Sequence, residues 1–110
     1  MGKDTPHYGL APNVVEKIRG VFEQFPAVES VIIYGSRAKG TYRTGSDIDL
    51  TIKTDGSETQ RLLFDVLEAI DELDLIYLFD VSLFAEIENT DLLGHIDHVG
   101  CEFYTHNQGI

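Results

Sequence analysis

The chain has 110 residues, of which 43% are hydrophobic and one is cysteine, and its formal charge is −11. A chain of this length supports one hydrophobic core, and so acidic a surface repels a phosphate backbone, which argues against extended nucleic acid as a ligand. Because the sequence has neither a run of about 20 apolar residues nor a secretory leader, we expect a soluble cytoplasmic protein that does not bind membranes.

The first third of the chain predicts an arm, a helix and a strand. Residues 1–11 are polar and lack periodicity, which indicates a flexible arm ahead of a single domain over residues 12–106. Apolar residues recur at helical spacing over residues 12–25. The β-branched run over residues 28–34 indicates a buried strand.

The middle of the chain holds a basic loop, an alternating strand and a second helix. Residues 35–46 are rich in glycine and concentrate positive charge in an otherwise acidic chain. Residues 47–53 alternate between apolar and polar side chains, which predicts a strand with one polar face. A capping-box pattern at residues 57–60 then begins a long amphipathic helix.

The last third predicts a strand, a helix and a short strand. The strand covers residues 77–84 and is interrupted by Asp80, the helix is capped by Thr90, and Gly100 ends it before a strand at residues 101–104. This order of elements predicts an α/β (α+β) domain in which a central mixed sheet is flanked by helices.

Gly35 and Ser36 lie where the first strand ends and the chain must turn sharply. Glycine permits such a turn, free backbone N–H groups at a helix start attract phosphate, and the Ser36 hydroxyl can donate to a phosphate oxygen. Arg37 and Lys39 add positive charge, and Gly40 keeps the following loop close to the ligand. These five residues predict a nucleotide-binding site, and the alternative is an ordinary turn capped by Ser36.

Three aspartates predict a metal site. Alternation places Asp47 and Asp49 on one face of a strand, with Cα atoms about 7 Å apart. Asp80 interrupts an apolar strand, where a carboxylate is costly to bury unless it is paired or bound to metal. If the strands are neighbours, the three carboxylates cluster, and such a cluster implies a divalent cation. The alternatives are an incidental Asp-x-Asp and a solvated face that Asp80 shares with Ser82.

The pattern Gly-Ser, ten residues, Asp-x-Asp and a later strand aspartate resembles the minimal nucleotidyltransferases of the DNA polymerase beta superfamily. The resemblance covers about residues 28–104, and its closing part is the weakest. It implies a polymerase-beta-like nucleotidyltransferase fold in which Asp47, Asp49 and Asp80 are catalytic and hold two magnesium ions. The segments that carry the resemblance are residues 34–40, 45–50, 79–81 and the closing residues 96–104.

The same resemblance implies a substrate and a partner. Small stand-alone members of this superfamily resemble the antitoxin half of toxin-antitoxin pairs, whose partner is a HEPN-domain ribonuclease and whose proposed action is to attach AMP to a tyrosine of that toxin. We therefore expect a magnesium-dependent nucleotidyltransferase that uses ATP, acts as an antitoxin and can form a hetero-oligomer. Two alternatives stay open: an antitoxin that neutralises its partner by binding alone, and a structural domain.

Two histidines are spaced three residues apart on the last helix. His95 and His98 have a spacing that can hold zinc, but it is more typical of a polar helix face, so no metal site is predicted there. Tyr42, in the basic loop, is placed to touch a nucleotide base.

Overall fold

A computed structural model of the protein describes residues 8–56 and 59–106. Within those ranges, four strands alternate with four α-helices and a short 3₁₀ turn. No helix in the part described combines the length and the apolar character needed to cross a bilayer. In chain order the elements are α1 (Pro12–Glu23), β1 (Val28–Tyr34), α2 (Gly35–Lys39), β2 (Ile48–Thr54), α3 (Thr59–Asp71), β3 (Phe79–Leu83), the 3₁₀ turn (Phe84–Glu86), α4 (Thr90–Val99) and β4 (Cys101–Thr105).

The strands form one mixed sheet in the order β3-β2-β1-β4. Strand β1 pairs antiparallel with both β2 and β4, whereas β2 and β3 run parallel. Because β2 and β3 run parallel, the first residues of both strands lie at the same edge of the sheet. The predicted architecture, a central mixed sheet flanked by helices, is confirmed.

One face of the sheet carries the hydrophobic core. Because alternate residues of a strand point to opposite faces, Ile48, Leu50 and Ile52 lie together on β2, and all three are almost completely buried. Helices α1 and α3 pack over this face. The core residues that they contribute are Val15, Ile18, Val21, Phe22, Leu62, Val66 and Ile70.

The opposite face of the sheet is polar along β2 and β3. Thr51 is fully buried there, and its hydroxyl accepts a hydrogen bond from the Ser82 hydroxyl at 3.0 Å, so it is satisfied despite its burial. Helix α4 lies across β1 on this side of the sheet, with Ile96 buried beneath it. Part of the polar face therefore stays uncovered, and it bears the aspartates.

Several local predictions differ from the structure. Residues 8–11 are not a free arm, because Leu10 is only 4% exposed within the core and the Tyr8 ring lies 6.1 Å from that of Phe103. Burial of these apolar side chains outweighs the loop-like composition. Residues 1–7 of the predicted arm lie outside the described residues.

Several element ends also differ from the prediction: α1 ends at Glu23 rather than at residue 25, β2 spans Ile48–Thr54 rather than residues 47–53, and β4 ends at Thr105. Helix α4 is capped by Asn89, whose Oδ1 accepts the Leu92 N–H at 3.1 Å, and Thr90 is the first residue of the helix. Strand β3 spans Phe79–Leu83 rather than residues 77–84, because Phe84 already belongs to the 3₁₀ turn. The predicted capping box begins at residues 57–58, which lie outside the described residues.

Candidate active site

Gly35 connects β1 to α2 in a conformation that only glycine adopts easily. Its φ is +76°, and a Cβ added there would overlap Oδ2 of Asp49 and lie 3.2 Å from the Asp49 Cγ. The left-handed backbone and the close approach of a carboxylate therefore both require glycine. The predicted glycine turn and the predicted Asp-x-Asp motif are in direct steric contact.

The short helix that follows forms one tight turn. The Ser36 carbonyl accepts the N–H groups of Gly40 at 2.9 Å and Thr41 at 3.0 Å, and Gly40 ends the helix with a φ of +85°. Ser36 is partly exposed and Lys39 is exposed. Both side chains are therefore accessible from solvent.

Arg37 occupies a different place from the one expected of a phosphate ligand. It is only 3% exposed, and its Nε and Nη2 donate to the Ser46 carbonyl at 3.1 and 2.9 Å while Nη1 donates to the Tyr8 carbonyl at 2.8 Å. Its guanidinium carbon also lies 5.5 Å from the Tyr42 ring centroid and 5.2 Å from that of Tyr77. These contacts occupy Arg37 in fixing the loop that leads into Asp47.

The register of the sheet brings the aspartates to one edge. Asp49 pairs with Asp80 across the parallel β2 and β3 strands, which are about 4.8 Å apart in such a sheet. Asp49 also faces Tyr34 on β1. Asp47 lies one residue before β2; Asp47 and Asp80 are exposed, and Asp49 is half-buried. The juxtaposition of Asp80 with the Asp-x-Asp motif, predicted from sequence, is present in the fold.

Electrostatics at this edge disfavour an ionised Asp49. Burial raises the pKa of the Asp49 carboxyl, the negative charges of Asp80 and Asp47 raise it further, and His95 acts in the opposite direction. Burial and then the charge of Asp80 likewise raise the pKa of the Tyr34 hydroxyl. A cation at this edge would offset the repulsion among the carboxylates.

No three Asp, Glu, His or Cys side chains enclose a metal position within residues 8–56 and 59–106. The donors present are nevertheless carboxylate oxygens, which magnesium prefers, and magnesium commonly completes its ligand shell with water and substrate phosphates. Asp47, Asp49 and Asp80 fit a metal that is shared with a substrate better than a closed protein cage. Their role as metal ligands stays a prediction.

His95 is a neighbour of the site that sequence reasoning missed. Its Nε2 accepts the Gly35 N–H at 3.1 Å, and its ring meets the Tyr34 ring edge-on with centroids 6.1 Å apart. By contrast, His98 is exposed, as expected of a polar helix face. No spacing in the sequence links His95 to Gly35, because the packing of α4 against α2 and β1 brings them together.

Solved structures with a similar fold include toxin-antitoxin proteins. A toxin-antitoxin crystal structure with AMP-PNP aligns at a TM-score of 0.65 and 19% identity, covering 86% of this chain and 74% of that one. A tri-AMPylated Shewanella oneidensis HEPN toxin in complex with an MNT antitoxin aligns at a TM-score of 0.53 and 14% identity, covering 87% and 69%. At these identities the likeness concerns the fold.

A further solved structure is somewhat more similar in sequence. A putative nucleotidyltransferase from Sulfolobus solfataricus aligns at a TM-score of 0.53 and 26% identity, covering 88% of this chain and 81% of that one. No curated protein sequence is significantly similar to this chain. The family model described as "Polymerase beta, Nucleotidyltransferase" matches residues 16–109, and the chain therefore belongs to that family.

Proposed function

We propose that the chain transfers AMP from ATP to a tyrosine hydroxyl of a HEPN-type toxin and thereby acts as a cytoplasmic antitoxin. The observation that carries this proposal is the meeting of two carboxylates with a phosphate-suited turn: Asp49 lies in register with Asp80 and packs against Gly35. Membership of the family supports nucleotidyl transfer as the reaction.

The triphosphate would bind at the turn between β1 and α2. The Ser36 hydroxyl donates to a phosphate oxygen, and the backbone N–H groups that follow Gly35 supply further donors. Lys39 is exposed at the end of α2 and adds positive charge. Arg37 acts indirectly by holding the loop in place, and Gly40 closes the turn around the ligand.

Asp47, Asp49 and Asp80 are the residues that would hold two magnesium ions. When bound, such ions neutralise the triphosphate and lower the pKa of an attacking hydroxyl. The raised pKa of Asp49 supports this assignment, since a group of like charges gains most from a cation. Asp80 is exposed and can therefore reach an acceptor.

The reaction is a displacement at the α-phosphorus. The acceptor oxygen forms a bond to that phosphorus, the bond from the phosphorus to the bridging oxygen breaks, and pyrophosphate leaves with the electron pair. Asp80 accepts the proton of the acceptor hydroxyl. Ser36 and its turn hold the β- and γ-phosphates so that attack is in line.

The choice of acceptor rests on the structural relatives and on charge. One relative is a complex that contains a tri-AMPylated HEPN toxin, and another is a toxin-antitoxin protein with AMP-PNP. The charge of −11 suits a basic surface on a protein partner, which favours a hetero-oligomer.

The test is to mix the purified chain with ATP, magnesium and the cognate toxin, and to measure the intact mass of the toxin. We expect the toxin to gain the mass of one or more AMP groups, and we expect an Asp80→Asn variant to give none. An unchanged toxin mass with the unsubstituted chain would contradict AMP transfer.

A second candidate function is neutralisation of the toxin by binding alone. It is favoured by the structural relative in which a HEPN toxin is in complex with an MNT antitoxin. An Asp47→Asn, Asp49→Asn double variant separates the two candidates. If that variant protects cells from the toxin as well as the unsubstituted chain does, binding is sufficient; if protection is lost while the complex still forms, transfer is required.

A further inference from the structure

We propose that His95 is a positioning residue, which holds the Gly35-Ser36 turn against Asp49 in the geometry that nucleotidyl transfer needs. This inference rests on the proposed function and concerns the same site. It assigns a role to a side chain on α4, an element that contributes none of the residues singled out by the sequence motif.

The first step is the contact itself. The Gly35 N–H donates to Nε2 of His95 at 3.1 Å, so Nε2 carries no proton, and in the neutral ring the proton is on Nδ1. The Gly35 N–H is thereby engaged by the protein. Phosphate binding then falls to Ser36 and to the amides that follow it, and Gly35 contributes its conformation.

The second step is that the His95 ring is itself held in place. The edge of the ring meets Tyr34, the residue directly before Gly35, at an interplanar angle of 80°. Its neighbour Ile96 is only 4% exposed and anchors α4 on the sheet, while Asn89 caps the start of that helix. A ring fixed on both sides can transmit the position of α4 to the turn.

The third step is what the turn controls. Glycine has more conformational freedom than other residues, and the left-handed Gly35 backbone has no side chain of its own to restrain it. Because the Asp49 carboxylate occupies the space that a Cβ on Gly35 would fill, a shift of the turn affects both Ser36 and a proposed metal ligand. Misplacement of reacting groups by about 1 Å can cost about 100-fold in rate.

The experiment compares three variants for AMP transfer to the toxin. His95→Phe keeps a ring against Tyr34 but removes the acceptor, and His95→Gln places an amide oxygen as many bonds from Cα as Nε2. His98→Phe is the matched control, because it adds the same side chain to an exposed position on the same helix. Thermal unfolding of each variant shows whether the fold is retained.

We expect His95→Phe to lower kcat about 100-fold while KM for ATP changes less than about three-fold, because positioning is lost rather than binding. His95→Gln should recover kcat to within about ten-fold of the unsubstituted chain, and His98→Phe should leave it unchanged. The proposal is overturned if His95→Phe stays within two-fold of the unsubstituted kcat, if it is faster, or if His95→Gln is as slow as His95→Phe.

A second measurement does not depend on activity. Amide hydrogen exchange at Gly35 should be protected in the unsubstituted chain and in His95→Gln, and should accelerate in His95→Phe. Equal protection in all three would overturn the proposal. If the unsubstituted chain transfers no AMP, the proposed function fails, and the exchange result alone then decides whether His95 holds the turn.

Discussion

The two faces of the sheet have different roles, and adjacent residues of the same strand belong to different faces. On β2, Leu50 is fully buried against α1 and α3, whereas Asp49, one residue earlier, lies on the opposite face with its pKa raised by burial and by two other carboxylates. Apolar residues on one face give the stability that keeps mutually repelling groups together on the other. We therefore expect substitutions on the apolar face to change stability and substitutions on the polar face to change activity.

The largest effect should fall on activity, at Asp49. Asp49→Asn keeps the shape of the side chain but removes the charge, so AMP transfer should fall at least about 10³-fold in a rate assay, the scale expected when a proposed metal ligand is lost. The melting temperature without metal should not fall, because the ionised carboxylate is disfavoured in the folded state. A variant that is both inactive and clearly destabilised would contradict the expectation that polar-face substitutions change activity alone.

The reciprocal change is Leu50→Ala on the core face. Leu50 is fully buried, and truncating such a side chain typically lowers the free energy of unfolding by about 2–5 kcal/mol. Urea unfolding monitored by circular dichroism measures this loss. In the fraction of molecules that remain folded, the rate of AMP transfer should stay close to that of the unsubstituted chain, and a large drop in that rate would show that the faces are coupled.

At Gly35, a substitution should change activity and stability together. Gly35→Ala forces a side chain into a left-handed conformation and onto Asp49, so both activity and stability should fall, the latter by about 1–3 kcal/mol. Gly20→Ala is the matched control, because a Cβ there meets nothing within 4 Å on α1 and should stabilise by about 0.5–1 kcal/mol. Equal melting temperatures for the two variants would contradict the steric argument.

The smallest effect is the pH dependence of stability without metal. Because the pKa of Asp49 is raised in the folded state, ionisation of this carboxyl lowers the free energy of unfolding. This loss of stability is absent below the ordinary carboxyl pKa of about 4, where Asp49 is protonated in both the folded and the unfolded chain. The loss of stability grows as pH rises from there to the folded-state pKa, and it is complete above that pKa. We expect Asp49→Asn to be more stable than the unsubstituted chain near neutral pH, with the gap closing in acid and on addition of magnesium; a gap that widens in acid would contradict this sign.

The sequence predicts those parts of the site that depend on local periodicity. Alternation predicted Asp47 and Asp49 on one polar strand face; Asp49 lies there, whereas Asp47 precedes the strand by one residue. The glycine turn before them is where the structure has it. The pairing of Asp80 with Asp49 needed one further assumption, that their strands are neighbours, and the register bears it out. Local patterns therefore carry most of the motif and the order of the elements.

The parts that the sequence did not predict depend on packing between distant segments. Arg37 looks like a phosphate ligand in the sequence, but the fold brings the Ser46 and Tyr8 carbonyls to its guanidinium. His95 meets Gly35 because α4 packs against α2 and β1. Leu10 joins the core although its surroundings in the sequence resemble a loop. None of these contacts follows from spacing along the chain.

The parallel pairing of β2 with β3 also affects how activity reports on folding. A slip of one residue between these strands would turn Asp80 toward the apolar layer and set Phe79 or Val81 beside Asp49. Such a molecule would keep its helices and much of its circular dichroism signal, yet Asp80 would be missing from the site. After refolding, the recovered catalytic rate should therefore count correctly registered molecules, whereas spectroscopic recovery counts compact ones.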